Sequence, residues 1–296
     1  MPLGAEPEVH AVKLTRRSFL RTTVAVGAVG VAGACGRESA PAPGATVEGS
    51  RAEALRWFSA KGYAPIAASP LITEIPFNDG LAFDEHFDSS RDALYVVQPC
   101  SRVEDVHKKD SPGTLPRFTI FGVVPAPNTP VADPVADIVG FLTGPAGIDP
   151  ARLRVTTTDL SRAVFPLLAE LGIASDRIRL QPVEKAMREG AGSGFFAPAG
   201  HPHHPAIPTF SVEFVMADGS EIEIAEIATE PGDDSGGAIG LERVTMARND
   251  RLITWSEQLP VFKQSVEEDA ESRGVALPVG YYEILGLPRP NAAMTN

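Results

Sequence analysis

The sequence is short of cysteine, of basic charge and of long apolar runs, and each shortage excludes a class of protein. Cys35 and Cys100 are its two cysteines in 296 residues, so neither a disulfide framework nor a cysteine-rich zinc site can be built. Lys and Arg number 26 against 38 Asp and Glu, for a net charge of -12. That balance argues against DNA as a partner, because non-specific nucleic-acid binding leans on cations that neutralise phosphate. The apolar run at residues 22–34 is too short to span a bilayer comfortably. No convincing Ser-His-Asp or Cys-His set stands out. What is left is a chain of ordinary apolar content, 43%, able to bury one substantial core.

Residues 1–48 read as leader and linker, and residues 49–296 as one folded domain. Arg16 and Arg17, within Thr15-Arg16-Arg17-Ser18-Phe19-Leu20, have the form of a twin-arginine export signal. The apolar run follows, and then Ala32-Gly33-Ala34 offers a small-residue cleavage site. Cys35 directly after it is a candidate for lipidation, although the usual leucine of a lipobox is absent. The order of these features predicts export to the cell envelope, lipid-anchored if Cys35 is used; with the signal unused, the chain is cytoplasmic. Residues 39–49 are rich in Ala, Pro and Gly and read as a tether.

The fold is organised around residues 95–121, which read as strand, charged loop, strand. Arg102 and Glu104 lie one residue apart on the same side of an extended chain, and Arg117 and Phe121 share a face of the second strand. Two guanidiniums, a carboxylate and a ring suit a nucleoside triphosphate: arginine for phosphate oxygens, the ring for the base, the acid for an exocyclic amine. Gly240-Leu241-Glu242-Arg243 opens a later helix, with a glycine permitting close approach at its N-terminus and Arg243 able to reach a terminal phosphate. Between these stretches, Ser50-Arg51-Ala52-Glu53 has the pattern of a capping box ahead of a helix that Gly62 stops. Asp133-Pro134 predicts another helix start, and Asp159 a third, kinked at Pro166. Asp218-Gly219 between alternating runs predicts a hairpin with a type I′ turn. Glu213 lies on its first strand, and on its second Glu221 and Glu223 share one face, with Ile222 and Ile224 on the other. Residues 259–273 read as a final helix. His201, His203 and His204 sit among prolines without an acid or cysteine in register, so a loop near the pocket is favoured over a metal site.

The stretch from Arg102-x-Glu104 through a loop to Arg117 and Phe121 resembles motif 2 of class II aminoacyl-tRNA synthetases, and Gly240-Leu241-Glu242-Arg243 resembles their motif 3. Tyr95-Val96-Val97-Gln98-Pro99, Ser111-Pro112 and Pro125-Ala126-Pro127 are most similar to the α subunit of bacterial glycyl-tRNA synthetase, with the alanyl branch second. The helix and strand up to Ser69-Pro70 resemble motif 1, which implies a homodimer through that region. The resemblance implies an α+β fold, a mainly antiparallel sheet flanked by helices. It implies ATP and Mg²⁺ as cofactors, a small amino acid as substrate, and aminoacyl-adenylate formation of the glycine–tRNA ligase type, with Arg102 and Arg243 catalytic. ATP would be held by Arg102, Glu104, Arg117, Phe121, Gly240 and Arg243, and the amino acid by Glu213, Glu223 and Asp234. Val212 stands where the glycyl family has tryptophan, and Asp234-Ser235-Gly236 lies two residues further from motif 3 than its alanyl counterpart, so the amino acid is not carried over. No editing, anticodon-binding or basic tRNA-binding extension is visible, which implies a separate tRNA-binding subunit. The alternatives are a stand-alone ligase to a non-tRNA acceptor, or an exported, catalytically silent relative that binds an amino acid or nucleotide.

Overall fold

The computed structural model describes residues 44–73, 92–196, 207–229 and 236–287. Arg16, Arg17, Cys35, Asp234 and the three clustered histidines lie outside the described residues. The architecture is α+β: among the described residues, nine strands form a mainly antiparallel sheet, with helices packed against it. The strands are β1 (Ala64–Pro65), β2 (Leu94–Ser101), β3 (Arg117–Val124), β4 (Leu153–Thr157), β5 (Ile178–Leu180), β6 (Phe195–Phe196), β7 (Ile207–Val215), β8 (Glu221–Ala228) and β9 (Gly236–Gly240). Their order is β1-β2-β3-β9-β8-β7-β4-β5, with β6 paired to β7. The outermost pairs, β1 with β2 and β4 with β5, are parallel, and the other pairs are antiparallel.

Two adjacent rows of the ladder show how the sheet divides its faces. Phe121, Ile239, Ala225, Val212 and Val155 stand opposite one another across five strands, and all are buried. The next row is Gly122, Ala238, Glu226, Ser211 and Thr156, on the other face because strand side chains alternate. The first face carries the core. Against it pack α1 (Val47–Ala60) through Ala54 and Phe58, α2 (Ala132–Thr143) through Val135, Ile138, Val139 and Leu142, and α5 (Leu241–Asn249) through Leu241, Val244 and Met246. Phe58 stacks on Phe121 with ring centroids 5.0 Å apart. Burying each such ring stabilises the fold by about 1.5–3 kcal/mol. The second face carries small and polar residues along this row, with Phe118 and Ile120 further along β3, and borders a cavity.

Glycine is what lets β9 sit in the middle of this sheet. A Cβ on Gly237 would lie 2.7 Å from the Glu226 carbonyl oxygen and 2.7 Å from Ile138 Cδ1. Strand β9 ends at Gly240 and the chain turns straight into α5. The remaining helices are α3 (Phe165–Glu170), α4 (Val183–Glu189), α6 (Trp255–Arg273) and α7 (Val279–Ile284). Phe262 and Val266 of α6 form a second, smaller core with Leu71, Ile72, Tyr281 and Leu285. Among the described residues, no helix is long and apolar enough to cross a membrane.

Several local expectations are corrected. Thr46 caps α1, its hydroxyl accepting from Gly49 N at 3.0 Å, while Ser50 is buried within the helix and faces Thr245. Helix α2 starts at Ala132, so Asp133 sits in its first turn and not at the cap. Thr158, not Asp159, caps a 3-10 turn ahead of α3, and Pro166 falls in the first turn of α3, where its missing N–H costs nothing. Helix α6 begins at Trp255, four residues earlier than its apolar stripe suggests, because Thr254 and Glu257 form a full capping box. The hairpin between β7 and β8 is present, but its turn is not type I′. Gly219 has φ +86° while Asp218 does not have positive φ, and Met216 and Ser220 close a three-residue loop with glycine in the left-handed position.

Candidate active site

The open face of the sheet floors a cavity of about 230 Å³ between β3, β9 and β8, roofed by the chain after β2 and closed at one end by Ala191 and Phe196. Arg102, Asp105, Phe118, Glu223, Glu226, Gly240 and Arg243 line it. Four of the residues singled out from the sequence, Arg102, Glu223, Gly240 and Arg243, therefore meet in one place.

Arg243 projects from the first turn of α5 back over the sheet. Its Nε donates to the Gly113 carbonyl at 3.0 Å and its Nη1 to the Glu223 carbonyl at 3.3 Å, with the Glu223 carboxylate 3.6 Å away. Its guanidinium carbon lies 5.4 Å from the centre of the Phe118 ring, within cation–π range. Arg102, at the end of β2, donates from Nε and Nη2 to Asp105 Oδ2 at 2.9 and 2.6 Å. Burial pushes the Asp105 carboxyl up, but the Arg102 guanidinium and the Lys108 ammonium outweigh it and hold the group below its ordinary range. Asp105 is thus bonded to Arg102. A 3-10 helix, Val103–Lys108, begins directly after Arg102 in place of the extended backbone expected there, and brings Asp105 round to it; the Glu104 side chain lies outside the described residues.

Arg117 and Phe121 do share a face of β3, but it is the wrong one. Phe121 is fully buried among the helices, stacked between Phe58 and Tyr95. Arg117 lies 3.8 Å from Glu242 and borders a separate depression with Pro99 and Asp269. The physical reason is Glu242, which is only 2% exposed. Strand β9 pairs with β3 no further than Ile120, and Glu242 accepts from Thr119 N at 2.6 Å and Thr119 Oγ1 at 3.1 Å, carrying the attachment of β3 on from strand to helix. Burial raises the Glu242 carboxyl, and the Thr119 bonds and Arg117 oppose that rise. Arg117 is consumed as its counter-charge. The β3 ring that does face the cavity is that of Phe118, one residue along from Arg117.

On β8 the ladder slips. Val212 pairs with Ala225 and Glu213 with Glu223, leaving Ile224 as an extra residue. This bulge brings Glu223 and Glu226, three apart, onto the cavity face. Glu226 accepts from Gly192 N at 3.1 Å and Thr209 Oγ1 at 2.9 Å. Its carboxyl is pushed up to about 8, first by burial and then by the charge of Glu223. Burial also raises Glu223, against the pull of Arg243 and Arg102. Glu213 stands on the same face opposite Glu223 but outside the cavity lining, bonded to Thr156 at 2.9 Å.

The Glu226 shift has a stability signature. Its folded value lies above the ordinary 4.5, so the folded protein keeps a proton that the unfolded chain releases. Its contribution to stability is complete below about pH 4.5 and is lost as the pH rises through about 8. Urea titrations should show the wild type losing stability relative to Glu226→Gln across that window, by on the order of a few kcal/mol. Parallel pH profiles for the two proteins would show that Glu226 is ionised throughout.

No protein-family model and no curated protein matches this chain. Solved structures with a similar course of chain include the aspartyl-tRNA synthetase of Entamoeba histolytica, at 13% identity over 68% of this chain, with a TM-score of 0.39. The apo histidyl-tRNA synthetase of S. aureus is 12% identical over 78% of this chain and 67% of its own, with a TM-score of 0.41. The pyrrolysyl-tRNA synthetase of Desulfitobacterium hafniense is 15% identical over 69% of this chain and 71% of its own, with a TM-score of 0.39. This chain spans only 54% of the length of the aspartyl enzyme.

Proposed function

We propose that this chain activates an amino acid with ATP, joining the carboxylate to the α-phosphorus and releasing pyrophosphate. The observation that carries the reading is the meeting of Arg102, Phe118, Glu226 and Arg243 at one cavity. Arg243 and Arg102 offer guanidiniums to phosphate oxygens, Phe118 a ring to the base, and Glu226 a carboxyl group that gives up its proton as the substrate ammonium docks beside it. In the reaction an oxygen of the amino acid attacks the α-phosphorus while the bond to the β-phosphoryl oxygen breaks. Arg102 stabilises the charge that develops there, once phosphate replaces Asp105 as its partner. Catalysis of this kind is positioning and electrostatics, which suits a site without a nucleophile.

Mg²⁺ would enter with the nucleotide. Among the described residues there is no cluster of three metal-ligating side chains, but Mg²⁺ commonly binds through one or two carboxylates and substrate phosphates, and Glu223 is the carboxylate beside the phosphate-binding arginines. The cavity is smaller than the roughly 300–1,000 Å³ usual for ligand pockets, so nucleotide entry moves the loop whose Gly113 carbonyl now holds Arg243. The motif resemblance around residues 95–127 would name glycine as the amino acid, a choice that the buried polar groups of Ser211 and Glu213 oppose; pairing through α1 and β1, a separate tRNA-binding chain and export by the N-terminal signal belong to the same reading.

The test is amino-acid-dependent ATP–pyrophosphate exchange by the purified full chain across the standard amino acids. Exchange that depends on one or a few amino acids is the expected result. Exchange with none, in a folded protein that also fails to bind ATP, would remove the reading.

A further inference from the structure

The polar face of the sheet continues past Glu226 into groups that adenylate formation does not use. We infer that the amino acid taken by this site carries a hydrogen-bond-donating side chain (hydroxyl, amide or amino), received by Ser211 and Glu213; the inference rests on the amino-acid-binding reading above. Ser211 stands opposite both Glu226 and Thr156 in the ladder and so shares their face of the sheet; it and Glu213 lie just beyond the cavity lining, which ends at Glu226 and Glu223 on this side, so a substrate side chain reaches them past those two residues. It is 0% exposed, and its hydroxyl has no hydrogen-bond partner. Glu213, two residues along on the same face, uses Oε1 to accept from Thr156. Its Oε2 is buried with no hydrogen bond, and the nearest cation, Arg179 Nη1, is 3.8 Å away.

Buried polar groups are almost always paired, and one left unpaired destabilises the fold. Alanine at position 211 would remove that penalty at once. Two such groups side by side, next to the proposed ammonium site, are accounted for by a ligand that completes them.

The charges around them narrow its chemistry. Glu213, Glu221, Glu223 and Glu226 all lie on this face, while Arg154 and Arg179 are both bonded to Glu221. A carboxylate side chain brings no donor to Glu213 Oε2. Glycine and alanine leave Ser211 and Glu213 unsatisfied. A neutral donor or an ammonium pairs with both.

The full chain is tested with the standard amino acids by thermal shift and by pyrophosphate exchange. Stabilisation or exchange greatest with a hydroxyl-, amide- or amino-bearing amino acid is expected. A preference for glycine, alanine or aspartate overturns the inference, as does the absence of any response to the whole panel. Stabilisation by a donor-bearing amino acid without exchange supports it and removes only the activating chemistry. In the variant Ser211→Ala the melting temperature should hold or rise while the KM for the amino acid increases about tenfold and the KM for ATP does not move. A fall in melting temperature with KM unchanged would show the hydroxyl to be structural and would overturn the assignment.

Discussion

Replacing Arg243 or Arg102 by alanine is expected to lower amino-acid-dependent pyrophosphate exchange by about a hundred- to a thousandfold, the usual cost of removing one charge-stabilising donor from a transition state. Both guanidiniums reach the cavity, and each is held by contacts that phosphate can take over: Asp105 for Arg102, the Gly113 and Glu223 carbonyls for Arg243. The informative comparison is Arg117→Ala. By its place in the motif, Arg117 would hold a terminal phosphate. By its place in the fold, it neutralises Glu242 on the other side of β3. Its removal should therefore leave exchange per folded molecule within a few-fold of wild type. It should instead cost about 1–3 kcal/mol of stability, because a buried carboxyl group keeps its Thr119 bonds but loses its nearby counter-charge. Steady-state exchange and urea denaturation on the three variants separate the two roles. Loss of exchange in the Arg117 variant at full stability would return Arg117 to the site.

Arg117 also shows where the sequence ceases to be legible. The architecture could be read because it depends on averages. Alternating runs, an Asp-Gly turn and glycine-led helix starts survive an error of one residue, and so the sheet, its flanking helices and the meeting of Arg102, Glu223, Gly240 and Arg243 were all within reach. The faces of individual strands depend on single residues. Along β3 the pattern Phe118, Ile120, Gly122 competes with Phe121, Val123, and both read as apolar. The second set is the one aimed at the helices, and the small residue at Gly122, opposite Ala238, is the trace in the sequence that the first set faces the cavity side of the sheet. Glu226 was hidden for a related reason. Simple alternation puts it on the face opposite Glu223, and only the bulge at Ile224 brings the two together. The helical starts failed through capping, where Thr46, Thr158 and Thr254 took positions that nearby serine, aspartate and apolar residues had suggested were elsewhere.

The two phenylalanines of β3 turn that face assignment into a measurement. Phe118→Leu keeps most of the apolar volume and removes the aromatic ring beside Arg243, so stability should fall by less than about 1.5 kcal/mol. Base–aromatic stacking contributes about 1–3 kcal/mol, and its loss should raise the KM for ATP about tenfold or more while leaving the KM for the amino acid alone. Phe121→Ala acts the other way. It empties a fully buried site between Phe58 and Tyr95, in the row that runs through Ile239, Ala225 and Val212. That cavity should cost about 3–5 kcal/mol, enough to bring a domain of ordinary stability close to unfolding, and the folded fraction should retain its KM for ATP. If instead the Phe121 variant weakened ATP binding and the Phe118 variant did not, the nucleotide would lie on the helix side of the sheet. Arg243, Gly240 and Glu226 would then have to be explained without it.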